Sequence, residues 1–166
     1  MSHYPVINWN ASLNRFEIPD TLITGESVVN PACRKWHEQY AKALHEANME
    51  PVFSVSWELY SLGARETWCQ REWNDTIGRT GYEPPSYFMS MCHENAIAYI
   101  HKAYREFADT LIFGGCEVIM QIGEPWWWFN VASLNPCVYD YQTRLAFNAD
   151  TGLYAPNFGT IYEAVD

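Results

Sequence analysis

The sequence predicts an α/β fold, a partial (β/α) TIM-barrel-like domain with parallel strands, with a small open sheet of the same class as the alternative. Two helix-then-strand units follow one another. Pro31–Asn48 leads into Pro51–Glu58, and a second helix after Pro85 leads into Glu117–Glu124. Units of this kind in series build parallel sheets with right-handed crossovers. The second strand is apolar almost without a break at Val118–Ile119–Met120, the pattern of a parallel strand covered on both faces. The chain has 166 residues, well short of the ~250 of a closed eight-stranded barrel. No low-complexity linker and no repeat divides it. The expectation is one domain over residues 1–166, partial or truncated.

The opening residues are turn-rich. Val6–Ile7 predicts a short strand ending at Asn8–Trp9–Asn10, Ala11–Asn14 a turn, and Arg15–Ile18 a second short strand. Asn30 then caps a helix and Pro31 suits its first position. Cys33, Trp36, Tyr40, Leu44 and Ala47 recur at helical spacing, and Asn48 suits a left-handed stop. Pro51–Glu58 is rich in β-branched and aromatic residues and predicts a strand. Leu62–Pro85 is irregular and long for a connection, so it either has a function or carries a short helix. Ser86 is the expected cap of the second long helix, with an apolar stripe from Phe88 and Met89 to Leu111. Gly114–Gly115 ends it. After the strand Glu117–Glu124 comes a loop to Pro136. Asp140 can then cap a third helix, Tyr141–Ala149, ending near Gly152.

Composition excludes several functions. Ten Lys and Arg stand against 20 Asp and Glu, a net charge of −10 at pH 7. So acidic a surface repels phosphate backbones and anionic lipid, so neither nucleic acid nor membrane is an expected partner. No apolar run approaches the ~18 residues of a membrane span. The five cysteines are scattered singly, and no signal peptide opens the chain. They read as reduced, mostly buried thiols. The histidines at 37, 45, 93 and 101 lie in pairs eight residues apart, too far for shared ligation, and no metal or other cofactor is expected.

The candidate chemistry lies where the two main strands end in glutamate, at Glu58 and Glu124. Parallel neighbours would bring both carboxyls to one rim. Two carboxyl groups there are what glycosidic cleavage needs, one to protonate the departing oxygen and one to attack or activate water. Trp57 and Trp126 beside them would favour a protonated acid near neutrality. The run Trp126–Trp127–Trp128 cannot enter one core together, because adjacent side chains diverge. Its indole faces suit a sugar platform, or else a structural plug or subunit interface. Asp140, flanked by Tyr139, is either a hydroxyl-binding carboxylate or only a helix cap.

The segment Gln121–Trp128 resembles the fourth-strand end of retaining glycoside hydrolases with a (β/α)8 barrel. There an Asn-Glu-Pro or similar segment holds the general acid/base. Together with Cys137-Val138-Tyr139-Asp140 and Thr143, it resembles more closely the glycosidase-like barrel domains of phage and gene-transfer-agent tail proteins. The resemblance covers roughly residues 51–155 and implies Glu124 as the acid/base. Position 123 is Gly where many of these enzymes have Asn. The seventh strand, which carries their nucleophile, has no evident counterpart, so Glu58 is proposed from its rim position alone. The expected function is therefore a carbohydrate-acting domain of a phage tail-type protein. Glu124 and Glu58 would be catalytic, with Trp57, Trp126, Trp127, Trp128, Tyr139 and Asp140 on a polysaccharide or glycan. The alternative is a non-catalytic structural or glycan-binding tail component. Open sheet edges lead to an expectation of self-association or of contact with other tail proteins, in the virion or the cytoplasm.

Overall fold

The computed structural model describes residues 8–12, 14–17, 27–60, 65–83, 85–123 and 128–163. They belong to two compact units, Met1–Ser56 with Ala98–Gly123, and Trp57–Ile97 with Glu124–Asp166.

The first unit opens with an antiparallel pair, β1 (Asn8–Asn10) and β2 (Arg15–Glu17). Helix α1 (Pro31–Glu46) starts as the sequence dictates. The Asn30 side chain accepts from the Ala32 and Cys33 amides at 2.9 and 3.4 Å, and Pro31 occupies the first turn. Just past its end Asn48 takes the left-handed conformation, with φ of 55°. Strand β3 (Phe53–Val55) pairs in parallel with β6 (Met120–Ile122), with Phe53 opposite Met120 and Val55 opposite Ile122. The parallel connection expected from the sequence is therefore present.

One face of this pair is covered by α1 and by α2 (Glu94–Gly114), whose residues from Ala98 onward belong to this unit. Phe53 and Met120 pack against Ala41, Leu111 and Cys116. His37, Phe53 and Phe107 meet edge to face at centroid distances of 5.0–6.2 Å. The helices touch at Gly114, where a Cβ would fall 2.5 Å from that of Ala41 and 2.7 Å from backbone. The Tyr104 hydroxyl lies 2.9 Å from the Val55 carbonyl and 3.2 Å from that of Gln121. It also accepts from the Gly123 amide at 3.3 Å, tying α2 to the carboxyl end of the parallel pair.

The second unit is antiparallel. Strand β4 (Glu58–Tyr60) pairs with β5 (Ser86–Phe88), and residues 69–79 add bridges on the other side of β5, Cys69 to Met89 and Arg79 to Tyr87. A 3-10 turn, Glu66–Trp68, is the short helix of the irregular segment. Helix α3 (Tyr141–Thr151) is capped by Asp140 and stopped by Gly152 with φ of 72°.

Two expectations are corrected. Pro51–Glu58 is not one strand. The ladder with β6 ends where the Gly123 amide donates to Val55, and the chain then exchanges partners, so that the Met89 amide donates to Trp57. Glu58 thus opens β4 instead of closing β3. The second helix begins at Glu94, not behind Ser86. Tyr87 and Phe88 are good strand formers, and hydrogen bonding on both sides of β5 prevails over their place in a helical stripe. Among the described residues there is one parallel pair and no closed barrel.

The contact at Gly114 yields a prediction. Gly114→Ala should destabilise the protein by about 1–3 kcal/mol through overpacking, read as a lower denaturation midpoint with an unchanged slope.

Candidate functional site

The sequence-proposed residues are placed as follows. Glu124, Trp126 and Trp127 lie outside the described residues. Glu58 is half-buried and faces Phe88 across the antiparallel pair. Trp57 is half-buried, and its indole N–H is shielded from solvent without a hydrogen-bond partner. Trp128 stands edge-on to Phe129 at 5.8 Å, and its carbonyl accepts from the Cys137 amide at 2.6 Å.

Tyr139 and Asp140 are both buried. The Tyr139 hydroxyl donates to the Pro156 carbonyl and accepts from the Phe158 amide, each at 3.0 Å, while its ring meets Trp73 edge-on at 5.2 Å. The two oxygens of Asp140 are taken up by the fold. Oδ1 accepts from the Ser90 hydroxyl at 2.9 Å and the Thr143 amide at 3.2 Å, and Oδ2 accepts from the Thr143 hydroxyl at 2.6 Å. Tyr139, Asp140, Trp73 and Ser90 are therefore brought together, as a hydrogen-bonded junction between β5, α3 and the segment after it.

Sequence reasoning missed a second carboxylate centre. Glu72 is 3% exposed. Its Oε1 accepts from the Asn130 side-chain amide and, at 2.9 Å, from the Ser133 hydroxyl, and Oε2 accepts from the Asn135 side-chain amide at 2.6 Å. Asn130 in turn accepts from the Arg79 amide at 2.7 Å. One charge thus joins the turn at residues 72–79 to the loop at 128–136. The partners lie some sixty residues away, and no local pattern announces the contact. In the first unit Glu106 has the same role. It accepts from the Ser27 hydroxyl at 2.5 Å and from the Val28 and Val29 amides at 2.9 and 3.1 Å, and it pairs with Arg34 at 3.3 Å. This fixes the entry to α1.

All five cysteines are free. Burial pushes the Cys69 thiol from 9.0 up to about 12. Burial, reinforced by the charge of Glu72, takes Cys137 up to about 12 as well. Among the described residues no group of three or more His, Cys, Asp and Glu could hold a metal ion, and no helix is long and apolar enough to cross a membrane.

A chain of mixed helices and strands with a parallel pair backed by two helices is an α/β protein. The family model described as "Non-contractile tail sheath protein TIM barrel" matches residues 1–157, and the chain belongs to that family. It is accordingly a phage tail component and part of the virion. No curated protein and no solved structure matches the chain.

Two measurements check these features. Glu72→Ala, which strands the buried Asn130 amide and removes the acceptor of the half-buried Asn135 and the exposed Ser133, should cost about 1–3 kcal/mol of stability, with Glu72→Gln intermediate. Cys69 and Cys137 have folded-state values above 9.0. Their contribution to stability is thus complete below about pH 9 and lost as pH rises towards 12. Denaturation midpoints should fall across that window, and less so in a Cys69→Ala/Cys137→Ala double variant.

Proposed function

We propose that this domain serves the phage tail as an architectural, non-catalytic building block that associates with further copies of itself. The observation that carries this reading is the close approach at Gly123. A Cβ there would fall 2.6 Å from the Val55 carbonyl oxygen and 2.8 Å from its carbon. A side chain at position 123, where the glycosidases that this segment resembles have asparagine, would clash with backbone, which speaks against that position supplying a partner for a sugar hydroxyl. Support also comes from the buried carboxylates. Glu72, Glu106 and Asp140 have their oxygens occupied by internal donors, which suits holding loops and not transferring protons.

Glycan cleavage by Glu124 with Glu58, on a platform of Trp57, Trp126, Trp127 and Trp128, is the competing proposal. Its support is the half-buried pair Trp57–Glu58. A single panel decides between the two. Wild-type protein and Glu124→Gln are incubated with bacterial surface polysaccharides, and new reducing ends are measured. The architectural reading expects none from either protein. Release by wild type that Glu124→Gln abolishes overturns it. Quantitative mass spectrometry of purified particles supplies a second readout, in which an architectural subunit is present at a copy number matching the repeating tail proteins.

A further inference from the structure

Among the described residues, Asn14, Asn48, Asp75 and Leu134 have positive φ without being glycine. The first three are of the types whose short polar side chains tolerate the left-handed region. Leu134, with φ of 59°, is not, and the conformation costs it a factor of roughly ten in population. Such a residue persists only where its surroundings force it.

The forcing contacts come from one carboxylate. Glu72 gathers the side chains of Asn130, Ser133 and Asn135, which flank Leu134 on both sides. The loop is also closed from within. The Leu134 amide donates to the Asn130 carbonyl at 2.8 Å, and the Asn130 amide to the Asn135 carbonyl at 3.1 Å. The loop tip sits over Gly81, where a Cβ would come within 3.2 Å of the Val131 side chain. An ordinary conformation at residue 134 would rotate Asn135 away from Asn130 and Ser133, and the three donors would no longer converge on one carboxyl group.

The bend at Leu134 also reaches the far end of the chain. Its carbonyl accepts from the Ile161 amide at 2.9 Å. A little earlier the Tyr139 hydroxyl holds the Pro156 carbonyl and the Phe158 amide, each at 3.0 Å. The stretch 156–161 is thus fastened at two points. The direction of a carbonyl follows the backbone angles of its own residue. A change at Leu134 therefore takes the acceptor away from Ile161 and leaves the Tyr139 contacts in place.

We propose that the loop 130–135 is a strained latch. Glu72 holds Leu134 in its left-handed form, and that form straps the stretch around Ile161 to the loop. Loss of the Glu72 contacts lets residue 134 relax and frees this stretch. The latch goes beyond the architectural role and is tested separately from it.

The test places alanine and glycine at residue 134, each with Glu72 present and with Glu72→Gln. Both substitutions remove the same leucine side chain, so their difference reads the backbone alone. Glycine is favoured in the left-handed region and alanine elsewhere. With Glu72 present, Leu134→Gly should have a folding constant at least about threefold above that of Leu134→Ala. With Glu72→Gln that order should vanish, or invert by up to about fivefold. Native-state hydrogen exchange gives the local readout. Glu72→Gln alone should speed exchange at the Ile161 amide by about tenfold more than at the Cys116 amide, which is bonded to the Leu111 carbonyl in the first unit. Asn135→Ala replaces Glu72→Gln should that variant not fold. Alanine as stable as glycine with Glu72 present overturns the strain. A glycine preference that Glu72→Gln leaves unchanged overturns the carboxylate as its cause. Exchange at Ile161 that merely follows Cys116 overturns the strap.

Discussion

A desolvated carboxylate that has lost its water must find donors, and at Glu72 that requirement organises the second unit. Asn130, Ser133 and Asn135 converge on it from a loop some sixty residues downstream, and Asn130 passes the constraint on to the Arg79 amide. The loop at 128–136 carries apolar residues, Trp128, Phe129, Val131, Leu134 and Pro136, but its polar side chains turn inward to this one carboxylate. The loop is positioned by charge-assisted hydrogen bonds, which are shorter and stronger than neutral ones. Glu106 at the entry to α1 and Asp140 at the start of α3 repeat the device. An acidic chain thus spends three of its carboxylates as internal fasteners.

Family membership and local architecture meet at β3 and β6. The chain belongs to a TIM-barrel family, and its parallel pair, backed by α1 and α2, is the part of the described structure that a barrel would contain. The rest of the described sheet structure is antiparallel. The insertion between β3 and α2 supplies β4, the 3-10 turn and β5, a small antiparallel unit in place of a simple crossover. Loop elaboration on a shared scaffold is how barrel families acquire new roles. Here the elaboration is held by buried carboxylate staples.

Much of this could be read from the sequence wherever the cause was local. Asn30–Pro31, Gly114–Gly115 and Asp140 with Gly152 mark helix ends because each satisfies or breaks backbone hydrogen bonding within a few residues. The apolar run at 118–120 pointed to the right region, but the parallel strand is Met120–Ile122, and Val118, Ile119 and Ile122 are exposed where the run predicts cover on both faces. Local pattern failed at Ser56–Trp57, where the chain changes partner, and at Ser86–Met89, where a helical stripe is overridden by ladders to residues distant in sequence. Of the site residues, Asp140's capping was legible from its place before the helix. The Glu72 network was not, because nothing in a glutamate within an irregular segment names its distant amides.

The free cysteines bear on the life of the particle. A virion is built in a reducing cytoplasm and then persists in air-saturated surroundings, where thiolates react with oxygen and peroxides. With Cys69 and Cys137 held up to about 12, almost no thiolate forms at either at environmental pH. At these two buried positions the thiol form is therefore kept, which slows crosslinking and oxidation of Cys69 and Cys137 outside the cell.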